Sequence, residues 1–154
     1  MADYFFDSSG LTKRYAVETG SAWVESITDL ASGNTIFIAD ITQVEVTAAI
    51  ARKMRGGFLS VADANLAFAK LEHDISDEYL FLEINSGVLQ SAVGLVKNHS
   101  LRGYDAVQLA VALETNRENL SFGLPPITFV SADNDLNNAA QSEGLAIENP
   151  NNYP

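Results

Sequence analysis

The sequence contains no cysteine and only two histidines. Disulfides and thiolate metal sites are thereby excluded, and a reducing compartment, the cytoplasm, is the expected setting. Positive charge is scarce as well: 9 Lys and Arg stand against 20 Asp and Glu, a formal charge of −11. That imbalance opposes general binding to a phosphate backbone and suits cations or a basic partner, so any nucleic acid has to be held locally. Long apolar runs are missing too. None is long enough to cross a bilayer, and Met1, Ala2 and Asp3 do not open a basic segment followed by an apolar core, so no membrane association is expected. Neither repeats nor low-complexity segments are visible. What is present is 47% hydrophobic content over 154 residues, enough for one domain that buries a full core without staples. Residues 1–148 are read as that domain and 149–154 as a C-terminal tail.

Tyr4, Phe5 and Phe6 form a short aromatic run that stops at a carboxylate, Asp7, and read as a buried strand with an acid at its carboxyl end. A short helix with Leu11, Lys13, Arg14 and Tyr15 follows, then a second with Trp23, Val24, Ile27 and Leu30 at three- and four-residue spacing. The period then changes: 35–39 is β-branched and aromatic, the pattern of a buried parallel strand. Asp40 or Thr42 opens a helix ending in Arg52, Lys53 and Arg55, and the pair Gly56 and Gly57 separates it from a helix over 60–73. Further strands are predicted over 79–84, 127–131 and 145–148, with helices after Asn85 or Ser86, from Tyr104, and over 134–143. The run from Asp105 to Leu113 is apolar enough to be buried nearly all round. The polar stretch 116–126, with Gly123, Pro125 and Pro126, is expected as a loop of more than median length. Strands and helices alternate throughout, so the fold class is α/β: a parallel sheet with right-handed crossovers and helices on both faces.

In such sheets ligands collect beyond the carboxyl ends of the strands. Asp7 follows the first strand, Asp133 follows the fourth, and Asp105 opens the buried helix. Glu45 stands within a helix beside Ile41, Ala48 and Ala49 and is expected to point partly inward, which is unusual for an unpaired glutamate. Each acid also has a plain structural reading: Asp7, Asp105 and Asp133 as helix caps, Glu45 as the partner of a Lys or Arg. Taken singly those readings are the commoner ones. Taken together they weaken, because Glu45 is not at a cap position and the other three would share one sheet edge. Converging carboxylates repel, which raises at least one of their pKa values in the metal-free folded state, and they persist as anions where a hard cation sits among them. Mg²⁺ or Mn²⁺ is the natural occupant and would suit phosphodiester hydrolysis by activated water. His73 and His99, in polar surroundings at helix ends, read as surface or dipole-complementing residues rather than ligands.

The ordered pieces Phe6, Asp7, Ser8 and Ser9 with Leu11, Lys13, Arg14 and Tyr15, then Glu45, then Leu101 to Ala106, then Ser131, Ala132 and Asp133 resemble the PIN-domain family. The resemblance is nearest to VapC-type toxins of type II toxin–antitoxin systems and spans almost the whole chain. It implies a three-layer α/β/α sandwich with a parallel sheet and Mg²⁺- or Mn²⁺-dependent endoribonuclease activity. Asp7, Glu45, Asp105 and Asp133 carry over as catalytic acids, with Asp7, Asp105 and Asp133 holding the metal. Ser131, two residues before the last acid, would orient Asp133 or a metal-bound water, and Ser8 matches the hydroxyl after the first acid. Asp135 adds a nearby acid and leaves open which of the two faces the metal, Asp133 being preferred. A cognate antitoxin with a basic segment and a homodimer are the implied partners.

RNA contacts are sought among Lys13, Arg14, Arg52 and Arg102. Arg52, seven residues after Glu45, shares its helical face, although basic residues that end a helix also complement its dipole. Arg102, just before Asp105, is the best placed. Two other strand-end acid families fit less well. A receiver domain needs an acid pair after the first strand and a late lysine, and a haloacid-dehalogenase-like phosphatase needs a second Asp where this chain has Ser9. A non-catalytic interaction module with a retained acidic site is the alternative.

Overall fold

Phe5 and Phe6 are neighbours on one strand, point to opposite faces and are both fully buried, and this alternation divides the molecule into two cores. The computed structural model describes residues 1–154. Strand β1 (Asp3–Phe6) lies at the centre of a five-stranded sheet between β2 (Thr35–Ala39) and β4 (Thr128–Val130). The edges are β3 (Leu80–Leu82) and β5 (Ala146–Glu148), the order is β3-β2-β1-β4-β5, and every pairing is parallel. On one face Phe5 packs with α5 (Ser86–Asn98), α6 (Gly103–Ser121) and α7 (Asn134–Ser142), and its ring stacks on Phe129 at 6.0 Å. On the other, Phe6 packs with α1 (Ser8–Tyr15), α2 (Ser21–Thr28), α3 (Thr42–Arg55) and α4 (Val61–Asp77). The result is the expected three-layer α/β/α sandwich. No helix is long and apolar enough to cross a membrane.

Helix α6 is buried nearly all round between Ala106 and Ala112, as its apolar run predicts. It does not stop at Asn116, however, but continues to Ser121 through much of the stretch expected as a loop. Tertiary partners hold these polar residues helical. Asn116 Oδ1 accepts from the Ile127 N–H at 3.0 Å and Asn119 Nδ2 donates to Asp3 Oδ2 at 2.8 Å, while within the helix Thr115 Oγ1 donates to the Val111 carbonyl at 2.8 Å. The predicted strands over 79–84 and 127–131 are likewise shorter, three residues each. Residues 149–154 close against α2 rather than trailing away. A 3₁₀ turn, Pro150–Asn152, leads into Tyr153, whose ring stacks on Trp23 at 4.5 Å, and Gly20, at φ +87°, passes so close to Pro150 that a Cβ there would lie 2.2 Å from its carbonyl oxygen.

From β1 the chain moves outward to β2 and β3, then crosses back through α5 and α6 to β4 and β5 on the other side. The direction of progress therefore reverses between β1 and β4, and the ends of these two strands diverge there into a crevice. They remain tied at that point: the Asp7 N–H donates to the Val130 carbonyl at 3.1 Å. Gly10 lets α1 sit on the same carbonyl, since a Cβ at this position would meet Val130 O at 2.8 Å and Phe6 Cδ1 at 3.3 Å. Gly10→Ala should therefore force α1 off β4, at a cost of about 1–3 kcal/mol. A thermal melt that matches the parent's would show that α1 has slack at this contact.

Candidate active site

Four helices start at the carboxyl edge of the sheet, and each carries one of the four acids in its cap or first turn. Asp7 is the N-cap of α1, Asp133 the N-cap of α7, Glu45 the fourth residue of α3, and Asp105 the third residue of α6. Glu45 thus belongs to the first turn of its helix rather than to its middle, and Asp105 is not a cap. The partial positive charge of a helix N-terminus favours an anion in each of these places.

Asp7 is buried and fully engaged. Its Oδ1 accepts from the Gly10 N–H at 2.8 Å and from Ser9 Oγ at 2.8 Å, and its Oδ2 accepts from Ser131 Oγ at 2.9 Å. The cap reading of Asp7 is therefore correct, and its second oxygen also ties it to Ser131 beyond β4. Ser131 Oγ in turn accepts from the Asp133 N–H at 3.1 Å, so this buried hydroxyl links two of the acids. Ser9 was not singled out from the sequence, yet it mirrors Ser131: its Oγ bonds both Asp7 oxygens and accepts from the Ala132 N–H at 3.0 Å. Asn137 Nδ2 fixes the same loop by donating to the Ser131 carbonyl at 2.7 Å.

Glu45 is held from two sides, by Gln108 Nε2 at 2.9 Å on Oε1 and by Ser8 Oγ at 3.2 Å on Oε2. Gln108 also donates to Thr42 Oγ1 at 2.9 Å and is itself buried. It was legible as the one amide inside the apolar run of α6. Asp133 uses Oδ1 to cap α7, accepting from the Asp135 and Leu136 N–H groups, and leaves Oδ2 without a protein donor. Asp135 is exposed and lines a depression with His99 and Asn138 that none of the four acids lines.

Burial pushes the Asp7 carboxyl up to about 7 against the pull of Gly10, Ser9 and Ser131, with the Asp105 charge a minor addition. Asp105 is also raised, by burial first and then by the charges of Asp133 and Glu45, and opposed by Arg102. The direction matches the expectation from repulsion, but desolvation is the main cause. These couplings bring Asp7, Glu45, Asp105 and Asp133 together as one electrostatic unit.

The expected cations divide. Lys13 is buried on Glu18 Oε2 at 3.1 Å and the Thr19 carbonyl at 2.8 Å, and Arg14 pairs with Asp74 at 3.1 Å and Glu78 at 3.3 Å. Both therefore support the fold and leave no free charge for a phosphate. Arg102 and Arg52 are exposed. Arg102 lies in a groove of about 820 Å³ with Leu89, Val93 and Tyr104, beside Glu45 and Asp105.

All four acids offer hard oxygen donors to a site without a neutralising cation in contact, and this donor set fits Mg²⁺ or Mn²⁺. No three of them approach within 4.8 Å of one another, a spacing reached only by His73, Asp74 and Glu78. An open ring suits an ion that keeps several waters and takes one or two carboxylates directly. The tighter trio suits a metal less well, because Asp74 and Glu78 are already paired with Arg14.

A parallel α/β/α sandwich with four acids around its switch point has the architecture of the PIN domain. No family model matches the chain. Ribonuclease VapC45 of Mycobacterium tuberculosis is 29% identical over 146 residues, covering 93% of this chain and 92% of that one. Among solved structures, VapC20 of Mycobacterium tuberculosis, described as a sarcin-ricin loop cleaving toxin, superposes with a TM-score of 0.62 at 14% identity over 93% of this chain and 96% of its own. VapBC2 of Rickettsia felis, bound to a DNA fragment from its promoter, gives 0.61 at 14% identity over 96% and 98%. The chain is thus similar over nearly its whole length to a protein named as a VapC ribonuclease and shares the fold of VapC toxins.

The raised Asp7 pKa sets a pH dependence in chelator. Because the folded value, about 7, exceeds the ordinary 3.8, the stability contributed by neutral Asp7 is complete below about pH 4 and is lost as pH rises through 7. Asp7→Asn keeps a cap and removes the titration, so in chelator it should melt above the parent at pH 8, by on the order of 10 °C, and match it near pH 4. A parent whose melting temperature is flat from pH 4 to 8 in chelator would contradict this.

Proposed function

We propose that this chain is a metal-dependent endoribonuclease and the toxin of a toxin–antitoxin pair. The observation that carries the reading is the convergence of Asp7, Glu45, Asp105 and Asp133 on the N-termini of four helices at one switch point. Similarity to a protein named as a ribonuclease supports it. Asp7, Asp105 and Asp133 would hold Mg²⁺ or Mn²⁺, which when bound activates water and stabilises charge on a phosphoryl oxygen. Glu45, its carboxylate fixed by Gln108 and Ser8, is placed to accept a proton from the attacking water as the P–O ester bond breaks. Ser131 and Ser9 hold Asp7 in one orientation, and Ser131 sets the loop that presents Asp133. Asp133 rather than Asp135 faces the reacting centre, since only Asp133 couples to Asp105. Arg102 supplies positive charge at the rim of the acids, where an RNA phosphate needs it.

Single substitutions Asp105→Asn and Glu45→Gln should each reduce cleavage of a mixed RNA substrate by at least about 100-fold, and excess chelator should abolish it. Parental rates in both variants together with indifference to chelator would leave the acids as structural caps and favour a non-catalytic module.

An antitoxin with a basic segment is the partner the acidic rim accommodates. It would lie over Glu45 and Asp105, with apolar side chains in the groove of Leu89, Val93 and Val96. Similarity of fold to a VapBC assembly supports this, and a homodimer belongs to the same proposal. Raising salt from 0.1 to 0.5 M should weaken the complex with the product of the adjacent reading frame by about tenfold or more. Salt-independent affinity would argue for an apolar interface instead.

A further inference from the structure

Of the nine Lys and Arg, Lys13, Arg14, Lys53 and Arg117 are taken up in ion pairs with acids. Arg52, Arg55, Lys70, Lys97 and Arg102 belong to none. Lys97 and Arg102 line the groove already described. Arg52 lines a separate depression of about 470 Å³ whose walls include Ser9, Lys53, Phe58 and Ala132. Ser9 is bonded directly to Asp7, so this depression opens beside the acids. Its volume falls within the usual range of small-ligand clefts, roughly 300–1,000 Å³.

Phe58 is the most exposed phenylalanine of the chain, at 83%. It is not placed there by slack. Its N–H donates to the Lys53 carbonyl at 2.9 Å, Gly57 at φ +78° turns the chain tightly behind α3, and the ring leans on Gly56, where a Cβ would meet Phe58 Cδ2 at 3.1 Å. A fixed aromatic ring held in water beside a free guanidinium matches what a single-stranded nucleic acid requires: a surface for a base and a charge for a phosphate. A basic peptide is disfavoured in this place, because Arg52 and Arg55 on the same end of α3 would repel it.

We propose that Phe58 and Arg52 form a nucleotide subsite, with the Phe58 ring stacking on a base next to the scissile phosphate and the Arg52 guanidinium holding a neighbouring phosphate. This rests on the ribonuclease reading. It makes Phe58 and Arg52 positioning residues that act on binding and leave the chemical step to the acids.

The test uses the full chain, a labelled single-stranded RNA pool of random sequence, cleavage kinetics in Mn²⁺ and anisotropy binding in Ca²⁺. Phe58→Ala should raise KM and Kd by about 5- to 100-fold with kcat little changed, the range that base–aromatic stacking spans. Phe58→Trp should restore parental values, and Phe58→Leu, apolar but unable to stack, should not. Arg52→Gln should lower the slope of log affinity against log salt by about 0.7, as for one phosphate contact on a single strand. All four variants should melt with the parent, since both side chains are exposed. Parental KM and Kd in Phe58→Ala and Phe58→Leu would overturn the subsite while leaving a cleaving parent, and so the ribonuclease reading, intact. A parent that binds the pool through Phe58 but cleaves nothing would keep the subsite and remove the ribonuclease. If Phe58→Ala abolishes only binding of the adjacent gene's product, the surface serves a protein and the subsite is overturned.

Discussion

One buried carboxylate joins the pieces of backbone on which the site depends. Asp7 ends the central strand, caps α1 through Gly10 and reaches across to β4 through Ser131, while its own N–H is bonded to Val130. One of these bonds is local and two cross to the end of β4, and together they fix the two diverging strands at the point where the sheet reverses direction. Burial opposes the charge of this group, and the helix end and the two hydroxyls favour it. The balance leaves the Asp7 carboxyl at about 7. The other three acids are only partly buried.

The placement of acids in first turns explains how an acidic cluster is compatible with a stable fold. Charge repulsion between Asp105, Asp133 and Glu45 is offset by four helix N-termini directed to the same space and by fixed neutral donors, Ser8, Gln108 and Ser131. The donors are side chains from different layers. Gln108 reaches Glu45 from α6 and Ser131 reaches Asp7 from β4, so the site is also where the two helical layers are locked together through the sheet.

Much of this was legible before the structure. Strand-end acids and the change of period at 35–39 are local signals, and they led directly to the parallel sheet and to Asp7 and Asp133. The apolar run of α6 was read as buried, and it is. Signals that depend on distant partners were not legible. The polar residues 116–121 look like a loop because nothing local shows that Asp3 and Ile127 will bond to Asn119 and Asn116. Arg14 looks like a free cation because Asp74 and Glu78 lie some sixty residues away in the chain. Ser9 stands in the motif after Asp7 without a role of its own there, and only the return of β4 gives it one.

Helix α3 carries an acid of the site in its first turn and its free arginines in its last. At about 1.5 Å per residue, the seven steps from Glu45 to Arg52 span roughly 10 Å along one continuous helix. The separation between Glu45 and Arg52 is thus a property of a helix and not of a loop. On the proposed ribonuclease reading this helix would act as a fixed ruler: flexibility in the surrounding loops would change how readily a strand enters, but not the spacing that α3 sets between Glu45 and Arg52.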